Sequence, residues 1–166
     1  DNGKAIEQYE YLQTINNEYP GTHSPYNFGA IPARIVLENK QWSKAAELKH
    51  HPSDRQWEEF PWETAILHFA RSLGASHIGD IPAAEEELAI LQSLQQKLVN
   101  KGNRYGATQV SIQVMASQAW LHFAKGDQEK ALALMQEAAE LEEKIGKHPI
   151  TPGEVLPASE LLGDML

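Results

Sequence analysis

The chain of 166 residues contains no cysteine. That excludes disulfides, thiolate zinc sites and cysteine nucleophiles together. It selects no compartment, because exported proteins need not use disulfides. No apolar run approaches the roughly 18 residues of a membrane-spanning helix, so no membrane insertion is expected. Basic residues are scarce: 14 Lys and Arg stand against 23 Asp and Glu, for a formal net charge of -9. Acid exceeds base in both halves of the chain. Without a basic stripe to neutralise phosphates, nucleic acid and anionic membrane surfaces are disfavoured as partners. His-Glu-x-x-His, a phosphate-cradling Gly-rich loop and a nucleophile elbow are absent too. No catalytic residue, metal or cofactor is expected.

What is present is a short phrase written twice. Gly79-Asp80-Ile81-Pro82-Ala83-Ala84 and Gly126-Asp127-Gln128-Glu129-Lys130-Ala131 each put Gly-Asp first and Ala four residues after the Asp. Gly suits a left-handed helix end, and Asp suits the N-cap of the next helix. Apolar residues recur at spacings of three and four on both sides. Ala65, Ile66, Phe69, Ala70 and Leu73 precede the first hinge, and Ala84, Leu88, Leu91, Leu94 and Leu98 follow it. Ile112, Met115, Ala119, Leu121 and Phe123 precede the second, and Leu134, Met135, Ala138, Leu141 and Ile145 follow it. Weaker hinges occur at Asn2-Gly3 and Asn39-Lys40. The small residue after each hinge falls at Ala5, Ala45, Ala84 and Ala131, a recurrence of 39 to 47 residues. Two antiparallel helices per unit at that length make a solenoid.

Turn-forming residues separate the units at Tyr19–Pro25, His51–Gln56 and Lys147–Gly153. Thr151 and Glu154, with Pro152 between, read as a capping box opening the last helix. The chain reads as one segment, 1–166, excised from a longer array. Its terminal helices offer Tyr9, Leu12 and Ile15 at one end and Leu156, Leu161, Leu162, Met165 and Leu166 at the other. With no terminating pair to cover them, end-to-end self-association is expected.

These features resemble the tetratricopeptide repeat (TPR) family. Ala84 and Ala131 match its Ala early in the second helix, and Ala119 and Ser72 match the small position of the first. Phe60-Pro61-Trp62, His68 through Ala75 and His148 through Leu166 are similar to the C-terminal part of large bacterial TPR-containing proteins. The resemblance implies an all-α, right-handed helical-hairpin solenoid of about seven or eight helices. It also implies a parent that is often exported, with a cytoplasmic location left open, and no catalytic residue. The units exceed the TPR period of about 34 residues, and HEAT-like pairs also fit their length.

The expected function is protein or peptide binding on a concave face built by the first helix of each pair. In this register Phe69, Leu73, Ala116, Trp120 and Phe123 line that face. They leave no carboxylate clamp and favour an apolar or aromatic groove. Two aromatic clusters, Trp57, Phe60 and Trp62, then Trp120 and Phe123, read first as core and second as partner anchors. Glu47 and His50 match half of a di-iron Glu-x-x-His pattern, or simply end a solvated helix. An enzyme or small-molecule pocket is the alternative class, and its mark would be His68, Arg71 and a carboxylate converging. A spacer with a purely structural role is the third.

Overall fold

The computed structural model describes residues 2–15, 25–53, 56–146 and 154–166. Eight α-helices follow one another: α1 (Asn2–Thr14), α2 (Pro25–Glu38), α3 (Trp42–Ala46), α4 (Pro61–Ile78), α5 (Ile81–Asn100), α6 (Arg104–Ala124), α7 (Gln128–Ile145) and α8 (Ala158–Met165). A 3-10 turn at Trp57–Glu59 precedes α4, and no strand occurs among the described residues.

One turn geometry joins four of the helix pairs. At each junction a residue one or two places after the helix has positive φ: Lys40 at 52°, Gly79 at 78°, Gly102 at 72° and Gly126 at 84°. Its N–H and the next N–H fold back onto the last helical carbonyls. Gly79 donates to Ser76 at 3.3 Å and Asp80 to Ala75 at 2.9 Å, with the same pairs at Lys40–Gln41, Gly102–Asn103 and Gly126–Asp127. These are Schellman closures. The following Asp or Asn then caps the next helix. Asp80 accepts from the Ala83 N–H at 3.2 Å, Asn103 from Gly106 at 2.9 Å and Asp127 from Lys130 at 3.4 Å. Only the α2–α3 junction lacks a side-chain cap, since Gln41 supplies none.

Each helix from α4 to α7 packs on its successor, while α2, α4 and α6 also pack side by side. Contacts at both ends show that α2, α4, α6 and α8 run in one direction. Tyr26, Trp62, Tyr105 and Ala158 meet near their N-terminal ends. Lys40, after α2, pairs with Asp164 of α8 at 2.9 Å at the other end. The returning helices enter close contact through small residues: Ala45, Ala84 and Ala131 are all fully buried. Ser72 and Ala119 are buried on the helices they cross. One core runs through α2 to α8. No helix among the described residues is long and apolar enough to cross a membrane.

Several expectations are corrected. Ala5 is exposed rather than packed at a crossing. The helix expected to contain Ala45 and Leu48 stops at Ala46. Glu47 and His50 therefore do not share a helical face. The last helix opens at Ala158, beyond Glu154, and Thr151 lies outside the described residues. The turn segments 19–24 and 147–153 lie outside them too. The terminal apolar side chains are mostly covered, because α8 folds against α7 and α6. Leu156, Leu161 and Met165 are buried, Leu162 is half-buried, and Leu166 is exposed. At the other end Leu12 is buried against Phe28 and Trp57, and Tyr9 and Ile15 are half-buried.

Candidate functional site

The parallel run of α2, α4 and α6 leaves a small cavity of about 30 Å³ beside their N-terminal halves. Positions three and four apart build its walls, as helical spacing requires. Trp62, Ile66 and Phe69 come from α4; Tyr105, Gln109, Ile112, Gln113 and Ala116 come from α6. Tyr26 of α2 and Glu142 of α7 complete the sides, and residues 154–158 close the floor. Trp62 stands between two tyrosines, with ring centroids 5.6 Å from Tyr26 and 5.6 Å from Tyr105. Gln109 donates to the Tyr105 hydroxyl at 3.1 Å. Burial pushes the Tyr26 phenol up, an effect eased by Arg34 and reinforced by Glu154. The closing segment is held by polar clamps. Arg34 Nη2 donates to the Glu154 carbonyl at 2.9 Å, and the Ala158 N–H donates to the Glu142 carboxylate at 3.0 and 3.1 Å.

A second cluster lies where the segment after α3 meets α4 and α5. Glu87 is buried, although it carries a charge on the inner stripe of α5. Its carboxylate accepts from His68 Nδ1 at 2.6 Å and from Arg71 Nη2 at 2.5 Å. A carboxylate only accepts, so His68 donates to it through Nδ1–H. His50 lies edge-on to His68, with centroids 6.0 Å apart, and stacks on the buried Trp57 at 4.6 Å. Burial first, then His68 and Arg71, lowers the His50 pKa to about 4. His50 also borders a groove of about 580 Å³ between α1, α2 and α3, and Arg71 borders a recess of about 350 Å³ beside residues 46–49. His68, Arg71 and a carboxylate thus converge in a buried ion-pair cluster, of which Arg71 alone borders one of these recesses. No group of three or more His, Asp or Glu side chains suited to a metal occurs among the described residues.

At the opposite end of α4, His77 is sandwiched between indoles. Its ring lies 3.6 Å from Trp42, nearly parallel at 12°, and 4.0 Å from Trp120. Its Nδ1–H donates to the Leu73 carbonyl at 2.8 Å. Phe123 meets Trp120 edge-on at 5.2 Å.

The five residues expected on one open face are thus divided. Phe69 and Ala116 line the cavity. Leu73 is wholly buried, and Trp120 with Phe123 belongs to the aromatic stack beside His77. Tyr26, Tyr105, Glu142 and Glu87 are not singled out by spacing, and Glu154 is marked only as a capping-box residue. For Trp62 and Tyr105 the signal was present, since each begins the stripe that runs on to Phe69 or Ala116. Glu87 was also signalled, as the charged member of Ala84, Glu87, Leu91, Leu94 and Leu98. No family model, no curated protein and no solved structure matches the chain.

Proposed function

We propose that the chain is a TPR-like helical-hairpin scaffold that binds a protein or peptide segment along the first helices of its pairs. The supporting observation is the aromatic-walled cavity between α2, α4 and α6, to which Phe69 and Ala116 contribute. Aromatic side chains with a polar tip are the usual anchors of such recognition. A scaffold of this kind asks no catalysis of its residues. Peptide selection against the chain, repeated on Ala116→Leu, tests the reading. The added side chain fills the cavity without a new charge. Selected peptides should bind the parent and lose at least about tenfold on the variant, given the size of a typical anchor contribution. Peptides that bind both equally would place recognition elsewhere and overturn the reading.

One observation favours a second reading, a small-molecule pocket: His68 and Arg71 converge on buried Glu87 beside two open recesses. Functional sites are where charge is buried against the usual preference. A ligand screen by thermal shift on the wild type and on His68→Gln tests it. A compound that stabilises only the wild type supports the pocket. Compounds acting equally on both exclude it.

A further inference from the structure

Among the described residues, the charged side chains that line the cavity between α2, α4 and α6 are the carboxylates Glu142 and Glu154. Glu142 already answers the first N–H of α8. The Glu154 carboxylate makes no ion pair among the described residues. The neighbouring cation Arg34 donates to the Glu154 main-chain carbonyl at 2.9 Å, lies 3.7 Å from Glu38 and acts on the Tyr26 phenol from beside the cavity. The Gln113 side-chain oxygen is buried with no hydrogen-bond partner, and a buried acceptor left so calls for a donor.

The walls add a second argument. Trp62 presents an aromatic surface between Tyr26 and Tyr105, tilted at 59° and 81° to it. Ring faces carry the negative lobe of the quadrupole and attract cations, Trp most of all. Acceptor, carboxylate and aromatic walls all ask for one thing, a positively charged group rich in N–H donors. The volume sets its size. About 30 Å³ holds roughly two water-sized groups, an ammonium head and the methylene behind it. A trimethylammonium has no N–H to donate to Gln113.

We infer that this cavity binds a primary alkylammonium group, either the tip of a lysine side chain on a bound segment or a free small amine. The lysine source rests on the scaffold reading; the free amine does not.

The test uses the whole chain and four probes at constant ionic strength, with binding followed by the indole N–H signals. The probes are n-butylammonium, n-butanol, tetramethylammonium, and a capped lysine peptide paired with its norleucine analogue. Trp62→Phe assigns the relevant signal. n-Butylammonium should bind saturably, butanol at least about tenfold more weakly, the scale of a desolvated cation–π contact, and tetramethylammonium more weakly because it offers no N–H to the buried acceptor. Glu154→Gln, a substitution at a half-buried site, should weaken n-butylammonium by a similar factor with unchanged helicity. The lysine peptide exceeding its norleucine analogue assigns the peptide source, and butylammonium binding without any peptide binding assigns the free amine and removes the scaffold reading at this site. Norleucine peptide binding as tightly as lysine would keep the scaffold and overturn the ammonium assignment. So would butanol matching butylammonium, or Glu154→Gln leaving its affinity unchanged.

Discussion

Glu142 of α7 caps a helix that is not its own. Its carboxylate receives the N–H of Ala158, the first residue of α8, at 3.0 and 3.1 Å. Pro157, in the N-cap position, has no side chain able to do so. The bond ties α8 to α7 and sets residues 154–158 over the cavity floor. Removing an N-cap acceptor costs about 1 kcal/mol. Glu142→Ala should therefore lower stability by about that amount and raise hydrogen exchange in α8 before the rest of the chain. Glu142→Gln keeps one oxygen acceptor and should lose less. Equal exchange in α8 for all three proteins would show that the cap holds nothing.

Gly74 and Gly163 form a matched pair of substitutions. A Cβ on Gly74 would run into the backbone of α3, against Ala46 N and within 2.5 Å of the Trp42 carbonyl. Backbone cannot swing aside as a side-chain tip can, and overpacking costs about 1–3 kcal/mol. Gly74→Ala should fall in that range and loosen α3 first. A Cβ on Gly163 meets nothing within 4 Å. There Ala should stabilise α8 by roughly 0.5–1 kcal/mol, the helix penalty of glycine. Denaturant midpoints of the two variants should move in opposite directions.

Much of this architecture is legible because its signals are local. A Gly-Asp hinge writes both the left-handed closure and the next cap within two residues, so Gly79-Asp80 and Gly126-Asp127 stand out. Gly102-Asn103 does the same work with an amide oxygen and is hidden only by its spelling. Helix ends set by tertiary packing are less legible. Leu48 continues the apolar spacing of α3, yet the helix stops at Ala46 and the chain turns toward α4. Glu87 and Leu88 are adjacent, and spacing alone favours the leucine. The partners that allow the glutamate to be buried, His68 and Arg71, sit on the preceding helix. The cavity is the least legible part. Its walls come from four helices and the segment before α8, and each contributes a stripe that alone reads as core.

The Glu87 cluster should behave as a unit. Removing one partner of a buried charge group leaves the others unpaired, at a cost of about 3–5 kcal/mol. Glu87→Ala should approach that range, since it strands Arg71 and His68 together. Arg71→Ala should cost less, because a third of the Arg71 side chain is exposed and water can take over. Glu87→Leu, which fills the space with an apolar side chain, should be milder than Glu87→Ala. A double-mutant cycle between positions 71 and 87 checks this, and additive effects within about 0.5 kcal/mol would deny the coupling.

Acid should weaken the fold through His50. Burial, with His68 and Arg71 nearby, lowers its pKa to about 4 from the ordinary 6.5. Between those values the unfolded chain takes up a proton that the folded chain refuses. Stability therefore rises with pH across that interval, is fully present above about 6.5, and is lost as pH falls toward 4. His77 acts in the same direction, lowered chiefly by burial between the indoles. Glu63 opposes them above its ordinary 4.5, because burial raises its pKa. His50→Phe keeps a ring to stack on Trp57 and removes the titration. Denaturant unfolding at pH 7, 5.5 and 4.5 should show a shallower loss for this variant than for the wild type. A His77→Phe background should remove a further part of the slope. NMR titration of the His50 ring in the wild type gives the direct check: a midpoint near 6.5 would mean that the ring is solvated as in a free peptide, and the pH dependence would have to arise elsewhere.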